Sequence, residues 1–282
     1  MRLQVSKAIE GRPKFQLKKI EYVRVPLRLG REVFETGRIG KKQQAKFIKA
    51  LETFKSLMDL YEVDEYMACA TSAMREASNG KEVASEVKAQ IGLEIDIIDG
   101  SREAGIVHTA LEDLIDIDTY LHMDVGGGST ELILYENGNQ LMSGSFAIGS
   151  VRRLLKKDKR ETWEELEQWT RDHVRKFMQR PVAIGTGGNI SKLFDLAEKK
   201  DGEELGLLEL KEISASLASV KPKQRERIFN LHPDRADVIV PASEIYISVM
   251  EWSATPHILV PDAGLKDGML KLLVKKHLTL EE

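Results

Sequence analysis

Apolar and polar residues alternate along "RLQVSKAIE", the pattern of a half-buried strand. A turn over "EGRPK" and a second strand, "FQLKKIEYVRVPL", are expected next. The period then changes. Ala45, Ile48, Leu51, Phe54, Leu57 and Met58 recur at helical spacing, which predicts a helix over 41–61. "VDEYMACAT" reads as a strand and "SAMREASNGKEVASEVKAQIG" as a helix with a soft break at Asn79–Gly80. "LEIDIID" is another strand and "SREAGIVHTALEDLI" another helix. The order β-β-α-β-α-β-α predicts a layered α/β lobe.

A second unit is expected to start around 116–120. "YLHMDV" and "STELILYENG" form a hairpin-like pair, and "QLMSGSFAIGS" adds a third strand. "TWEELEQWTRDHVRKFMQ" is helical, with Thr162 and Glu165 at capping-box spacing. "PVAIGTGGNISKLFDLAEK" goes strand, glycine turn, helix. Residues 207–250 read mostly helical, with a loop at "HPDRAD". The tail is a strand, "HILVP", a loop, "DAGLKDG", and a helix, "MLKLLVKKH". No low-complexity linker separates the units, so two similar α/β lobes are expected: lobe I over 1–117, completed by a C-terminal helix over 268–282, and lobe II over 118–267.

Composition narrows the partners. A chain of 282 residues, 42% hydrophobic and 31% charged, has room for two domains with real cores. The net charge of −3 supplies no global basic field, so neither nucleic acid nor a membrane is an expected partner, and any polyanion must meet a local patch. The basic stretches "RRLLKKDKR", "KPKQRER" and "KLLVKKH" read first as solvated helix faces. One cysteine, Cys69, in an apolar context, fits a small core residue in a reducing cytoplasm. No apolar run approaches the roughly 20 residues of a membrane span, and "MRLQVSKAIE" has no signal-peptide core. No two of the six histidines stand at His-x-x-x-His spacing, so zinc is not expected.

The chemistry gathers at two glycine turns. Phosphate needs several converging N–H donors, and glycine lets it approach the backbone. "DVGGGST" offers Gly126, Gly127 and Gly128 with the hydroxyls of Ser129 and Thr130. "AIGTGGNIS" offers Gly185, Thr186, Gly187, Gly188 and Asn189 at the start of a helix, whose dipole also favours an anion. Asp124 and Glu131 flank the first turn. Carboxylates repel phosphate unless a divalent cation intervenes, and Mg2+ held by one or two carboxylates plus substrate phosphates satisfies both. Taken alone, Asp124 reads as a turn cap, Glu131 as a solvated side chain and Arg75 as a surface arginine. Glu103, taken alone, reads as a first-turn helix carboxylate.

Together these stretches resemble the exopolyphosphatase and guanosine pentaphosphate phosphohydrolase (Ppx/GppA) family. "ATSAMREASN", "IIDGSREAGIVHTAL", "DVGGGSTEL", "AIGTGGNIS", "FAIGSVR", "PDRADVIVPASEI" and "DAGLKDGML" carry the similarity across nearly the whole chain. The resemblance implies two ribonuclease H-like lobes of the actin, Hsp70 and sugar-kinase superfamily (ASKHA) with a central cleft. It implies a hydrolase that removes terminal orthophosphate from inorganic polyphosphate or from pppGpp. In it, Glu103 deprotonates the attacking water, Arg75 faces phosphate, Asp124 and Glu131 serve Mg2+, and the two loops bind phosphate. It also implies the short two-lobe form of the family and admits a homodimer. Members open with a strand and phosphate loop of the form "AAIDIGSNSxRL"; Arg2–Leu3 match its end, and the loop before them is absent from this sequence. Its absence leads to the expectation that the natural chain starts upstream, and keeps open a second reading, a catalytically weakened regulator that binds polyphosphate or nucleotide. A kinase of the same superfamily stands third, because no sugar-binding signature is present.

Overall fold

The structure, a computed structural model, describes residues 1–9, 15–174, 176–177 and 180–278. The turn expected over "EGRPK" and the last residues of the helix expected through 178–179 lie outside the described residues. The chain forms two compact units, the first of Met1–Ala110 with Leu265–Glu282 and the second of Leu111–Gly264.

Unit 1 opens with an antiparallel hairpin, β1 (Arg2–Ile9) and β2 (Gln16–Arg24), with a register shift between Val5 and Ser6. Helices α1 (Leu29–Thr36) and α2 (Lys41–Leu60) follow. The apolar stripe of α2 is buried as its period requires: Ile48, Leu51 and Phe54 join Val33, Ile39, Met74, Val83 and Val87 in one core. The strands expected from "VDEYMACAT" and "LEIDIID" condense to a parallel pair, β3 (Cys69–Ala70) and β4 (Asp96–Ile97). Each has only the other as a ladder partner among the described residues, so the regular pairing stays short. The soft break is real. α3 (Ser72–Glu76) and α4 (Gly80–Ile91) are separate helices. The Asn79 amide between them accepts from Ile39 N and donates to Ile39 O, both at 2.9 Å, while a Cβ at Gly80 would lie 2.0 Å from the Met74 carbonyl oxygen. α5 (Gly100–Leu111) follows β4.

Unit 2 is built on a six-stranded mixed sheet: β5 (Thr119–Val125), β6 (Thr130–Glu136), β7 (Asn139–Phe146), β8 (Val182–Thr186), β9 (Glu204–Gly206) and β10 (His257–Leu259), in the order β7-β6-β5-β8-β10-β9. The first three strands run as an antiparallel meander, and β8 and β10 continue beside β5 in parallel. Its helices are α6 (Ser150–Leu154), α7 (Arg160–Val174), α8 (Gly188–Leu196), α9 (Leu207–Ala218), α10 (Pro222–Ile228), α11 (Pro233–Ala236) and α12 (Ile239–Ser253). Strand periodicity divides β5. Leu121, Met123 and Val125 enter a core with Leu132, Leu134, Ile245, Tyr246 and Val249, whereas His122 and Asp124 point to the other face. The last helix, α13 (Leu265–Leu278), belongs to unit 1. There it crosses α5 so closely that a Cβ at Gly268 would lie 1.9 Å from the Ile106 carbonyl oxygen.

Some local expectations change. Thr162 lies inside α7 and does not cap it. Asp158 accepts from the Trp163 indole (2.8 Å) and from Arg153 (3.0 Å), and this anchor starts the helix at Arg160. "HPDRAD" contains the single-turn α11, with Pro233 at its first position. α13 starts at Leu265, inside the expected loop.

Candidate active site

In unit 2, β5 and β6 meet at a tight turn. Val125 pairs with Thr130, and the Gly126 amide donates to the Ser129 carbonyl at 2.9 Å. α6 docks on this turn through its own backbone. The Gly126 carbonyl accepts from Ser150 N (3.0 Å) and Oγ (3.2 Å). The Gly127 carbonyl accepts from Val151 N (2.9 Å) and Arg152 N (3.0 Å), and the Gly128 carbonyl accepts from Arg152 Nε (2.7 Å). In a planar trans peptide the C=O and the following N–H point in opposite directions. Three successive carbonyls tied to α6 therefore turn the N–H groups of Gly127, Gly128 and Ser129 away from it, a row of donors of the kind that binds anions. The fit of α6 needs glycine on its own side, because a Cβ at Gly149 would lie 2.5 Å from Gly127 C and from Gly128 N.

The second turn stands beside the first because β8 pairs in parallel with β5, Thr186 opposite Asp124. Both turns thus leave the same end of adjacent strands, where open α/β sheets place ligands. Gly187 has φ +99°, a conformation that disfavours any side chain, and a Cβ there would lie 2.9 Å from Asp124 Oδ1. Gly188 and Asn189 start α8, and the Asn189 amide reaches Ser150 Oγ at 3.5 Å. Asp124 and Glu131 are directly opposed across the hairpin, so both side chains lie on one face. Glu131 is buried and accepts from Ser145 Oγ at 3.0 Å, unlike the solvated side chain its position alone suggests.

Other expected phosphate ligands serve the frame. The buried Thr130 hydroxyl donates to the Ile148 carbonyl at 2.7 Å. The buried Thr186 hydroxyl meets His122 Nε2 at 2.8 Å. Gly185 lies within β8, where a Cβ would meet Ile258 Cδ1 at 2.7 Å. Two residues not singled out from sequence complete the site. Arg152 holds the first turn. Tyr246 of α12, fully buried, accepts from Val125 N at 3.2 Å and donates to the Thr186 carbonyl at 2.7 Å. Burial, with the Asp124 and Glu131 carboxylates nearby, raises the Tyr246 pKa well above the ordinary phenol value, so the hydroxyl keeps its proton. Burial lowers the His122 pKa to about 3 and leaves the imidazole neutral. No local pattern marks these residues; their partners are far away in the chain.

Unit 1 brings together Arg75 and Glu103. The parallel pairing of β3 with β4 sets the starts of α3 and α5 side by side. Arg75 Nη1 donates to the Ile98 carbonyl at 2.7 Å and lies 3.9 Å from Glu103 Oε2. Glu103 is buried in the first turn of α5. Cys69 is half-buried near this pair; burial first, then Asp96, raise its thiol pKa, so it stays protonated.

The donor set fits Mg2+. Asp124 and Glu131 offer hard oxygens, and among the described residues no group of three or more His, Cys, Asp or Glu forms an all-protein cage. A pair of carboxylates suits an ion that takes its remaining ligands from water and phosphate. Among the described residues, no helix is long and apolar enough to cross a membrane.

Comparison with known proteins agrees with this architecture. The Ppx/GppA phosphatase family matches residues 9–277, and the chain belongs to that family. It is 26% identical over 276 residues to exopolyphosphatase 2 of Mycobacterium tuberculosis, covering 86% of this chain and 85% of that protein. It is 26% identical over 259 residues to the bifunctional 3-dehydroquinate synthase/phosphatase of Fusobacterium nucleatum, covering 84% of this chain but only 39% of that longer protein. Among solved structures, the Ppx/GppA family member of Aquifex aeolicus is 25% identical with a TM-score of 0.77, over 98% of this chain and 94% of that one. An exopolyphosphatase from Cytophaga hutchinsonii shares the fold at 22% identity and a TM-score of 0.82, over 98% of this chain and 94% of that one. The mixed α/β fold is therefore that of the Ppx/GppA proteins.

Proposed function

We propose that the protein is a Mg2+-dependent phosphohydrolase that releases terminal orthophosphate from a phosphoanhydride chain, inorganic polyphosphate or pppGpp. The observation that carries the reading is the row of N–H groups at Gly127, Gly128 and Ser129 turned away from α6, set beside the start of α8 and the opposed carboxylates Asp124 and Glu131. Phosphoryl transfer asks the protein mainly to position groups and to stabilise charge on the phosphate oxygens. The two turns of unit 2 supply N–H donors for that. Bound at Asp124 and Glu131, Mg2+ would neutralise phosphate charge. Glu103 takes the proton of the attacking water, with the Arg75 guanidinium 3.9 Å from its carboxylate. Membership of the family and the likeness to proteins named exopolyphosphatase support hydrolysis over the kinase reading. Residence in the cytoplasm and a homodimer belong to the same reading.

The test is orthophosphate release from polyphosphate with Mg2+, repeated with pppGpp, with ATP plus an acceptor, and after chelation. Release that needs Mg2+ and no acceptor supports the hydrolase. Binding of polyphosphate without release would move the assignment to the regulator, and acceptor-dependent ADP formation would move it to a kinase.

A further inference from the structure

The phenol of Tyr246 occupies a place that neither glycine turn explains. It rises from α12, a helix more than a hundred residues beyond the first turn in the chain. Its side chain is fully buried in the unit 2 core, yet its hydroxyl ends where β5 and β8 both stop. There the oxygen accepts from Val125 N, the last residue of β5, at 3.2 Å. Its proton goes to the carbonyl of Thr186, the last residue of β8, at 2.7 Å. Both hydrogen-bonding roles of one phenol are thus used, one on each phosphate turn.

We propose that Tyr246 is a positioning residue: its hydroxyl clasps the Val125 amide to the Thr186 carbonyl and so sets the spacing of the two turns that bind the substrate's phosphates. This rests on the phosphohydrolase reading and adds to it. Beyond their last paired residues, Asp124 and Thr186, the two strands diverge into separate turns. The clasp acts at that point of divergence. Phosphate held by N–H groups from both turns needs their separation correct to a fraction of an ångström, because misplacement of about 1 Å can lower a rate about a hundredfold. Phenylalanine would keep the ring and its packing and remove only the oxygen. It would leave one buried N–H and one buried C=O without this partner.

The experiment compares wild type with Tyr246→Phe in two readouts. The first is orthophosphate release from polyphosphate, with kcat and KM separated. The second is site-resolved amide hydrogen exchange without ligand, which does not depend on turnover. The clasp predicts that KM rises about tenfold or more at temperatures where the variant is fully folded. It also predicts faster exchange at 125–130 and 186–190 while Leu121, Leu134 and α9 keep wild-type protection. A residue needed only for core stability would raise exchange throughout unit 2 and leave KM unchanged, which would overturn the proposal. If wild type releases phosphate and Tyr246→Phe matches it in KM and in local exchange, the clasp is wrong while the phosphohydrolase reading stands. If wild type releases none, the phosphohydrolase reading fails, and the exchange pattern still decides the clasp: local loosening supports it, an unchanged pattern overturns it. Should the variant not fold, wild type alone gives the answer. Val125 N–H should be protected like Met123 N–H, and exchange as fast as at Gly127 would contradict the clasp.

Discussion

Burial holds the His122 imidazole neutral, with its pKa lowered to about 3, while Nε2 meets the Thr186 hydroxyl. In the unfolded chain the same group titrates near its ordinary value of 6.5. Below that pH the unfolded state binds the extra proton and the folded state does not. Stability from this residue is therefore complete above about pH 6.5 and is lost as pH falls towards 3, by at most about 1.4 kcal/mol per unit. Urea unfolding in metal-free buffer should show that loss in wild type, and His122→Gln should flatten it; equal slopes would refute the assignment. Glu103 carries a different expectation. Glu103→Gln keeps the size of the side chain and removes the proposed base, so kcat should fall at least about a hundredfold with the melting temperature little changed. Residues with a local signature were legible in the sequence: glycine rows after apolar strands, and acids next to them. Tyr246, Arg152 and the His122–Thr186 contact were not, because each meets its partner only through sheet pairing or through α12. Thr130 and Thr186 show the converse, hydroxyls that look outward in the sequence and are spent on the frame.

Among the elements, α6 matters most for its size. It spans only Ser150–Leu154, yet its amides and Arg152 fix the direction of three peptide groups. Gly149→Ala should push it off the turn, raising KM for polyphosphate about tenfold in steady-state kinetics with a smaller effect on kcat; unchanged KM would contradict the role given to the turn. Gly268→Ala offers a contrast. Its Cβ would overlap the Ile106 carbonyl oxygen and strain the α13–α5 crossing, so chemical unfolding should show a loss of about 1–3 kcal/mol. The long elements were legible, among them α2, whose helical period marks its buried face, and the β5–β6–β7 meander, whose apolar runs are separated by turn residues. Short ones were not. α1 starts after Arg28 in a left-handed conformation and runs only eight residues, α6 has five, and β9 exists because His257 and Ile258 pair with it. Nothing periodic accumulates over such lengths, and pairing from elsewhere creates them.

At the scale of the molecule, family membership and the shared α/β fold agree with the resemblance that the combined motifs carry. Each glycine turn alone is a weak signal; their adjacency at Asp124 and Thr186 is a property of the sheet and became visible only there. On the proposed function, tripolyphosphate with Mg2+ should stabilise the fold by about 2.7 kcal/mol at a hundredfold excess over the dissociation constant, and either alone should stabilise it less. Thermal melts of wild type and Asp124→Asn check this, and the variant should lose the Mg2+-dependent part. The most direct test of the central claim is orthophosphate release from medium-chain polyphosphate with Mg2+, wild type beside folded Glu103→Gln. Wild type should release phosphate steadily, and the variant almost none. Equal release by both, or binding of polyphosphate by wild type without any release, would contradict it.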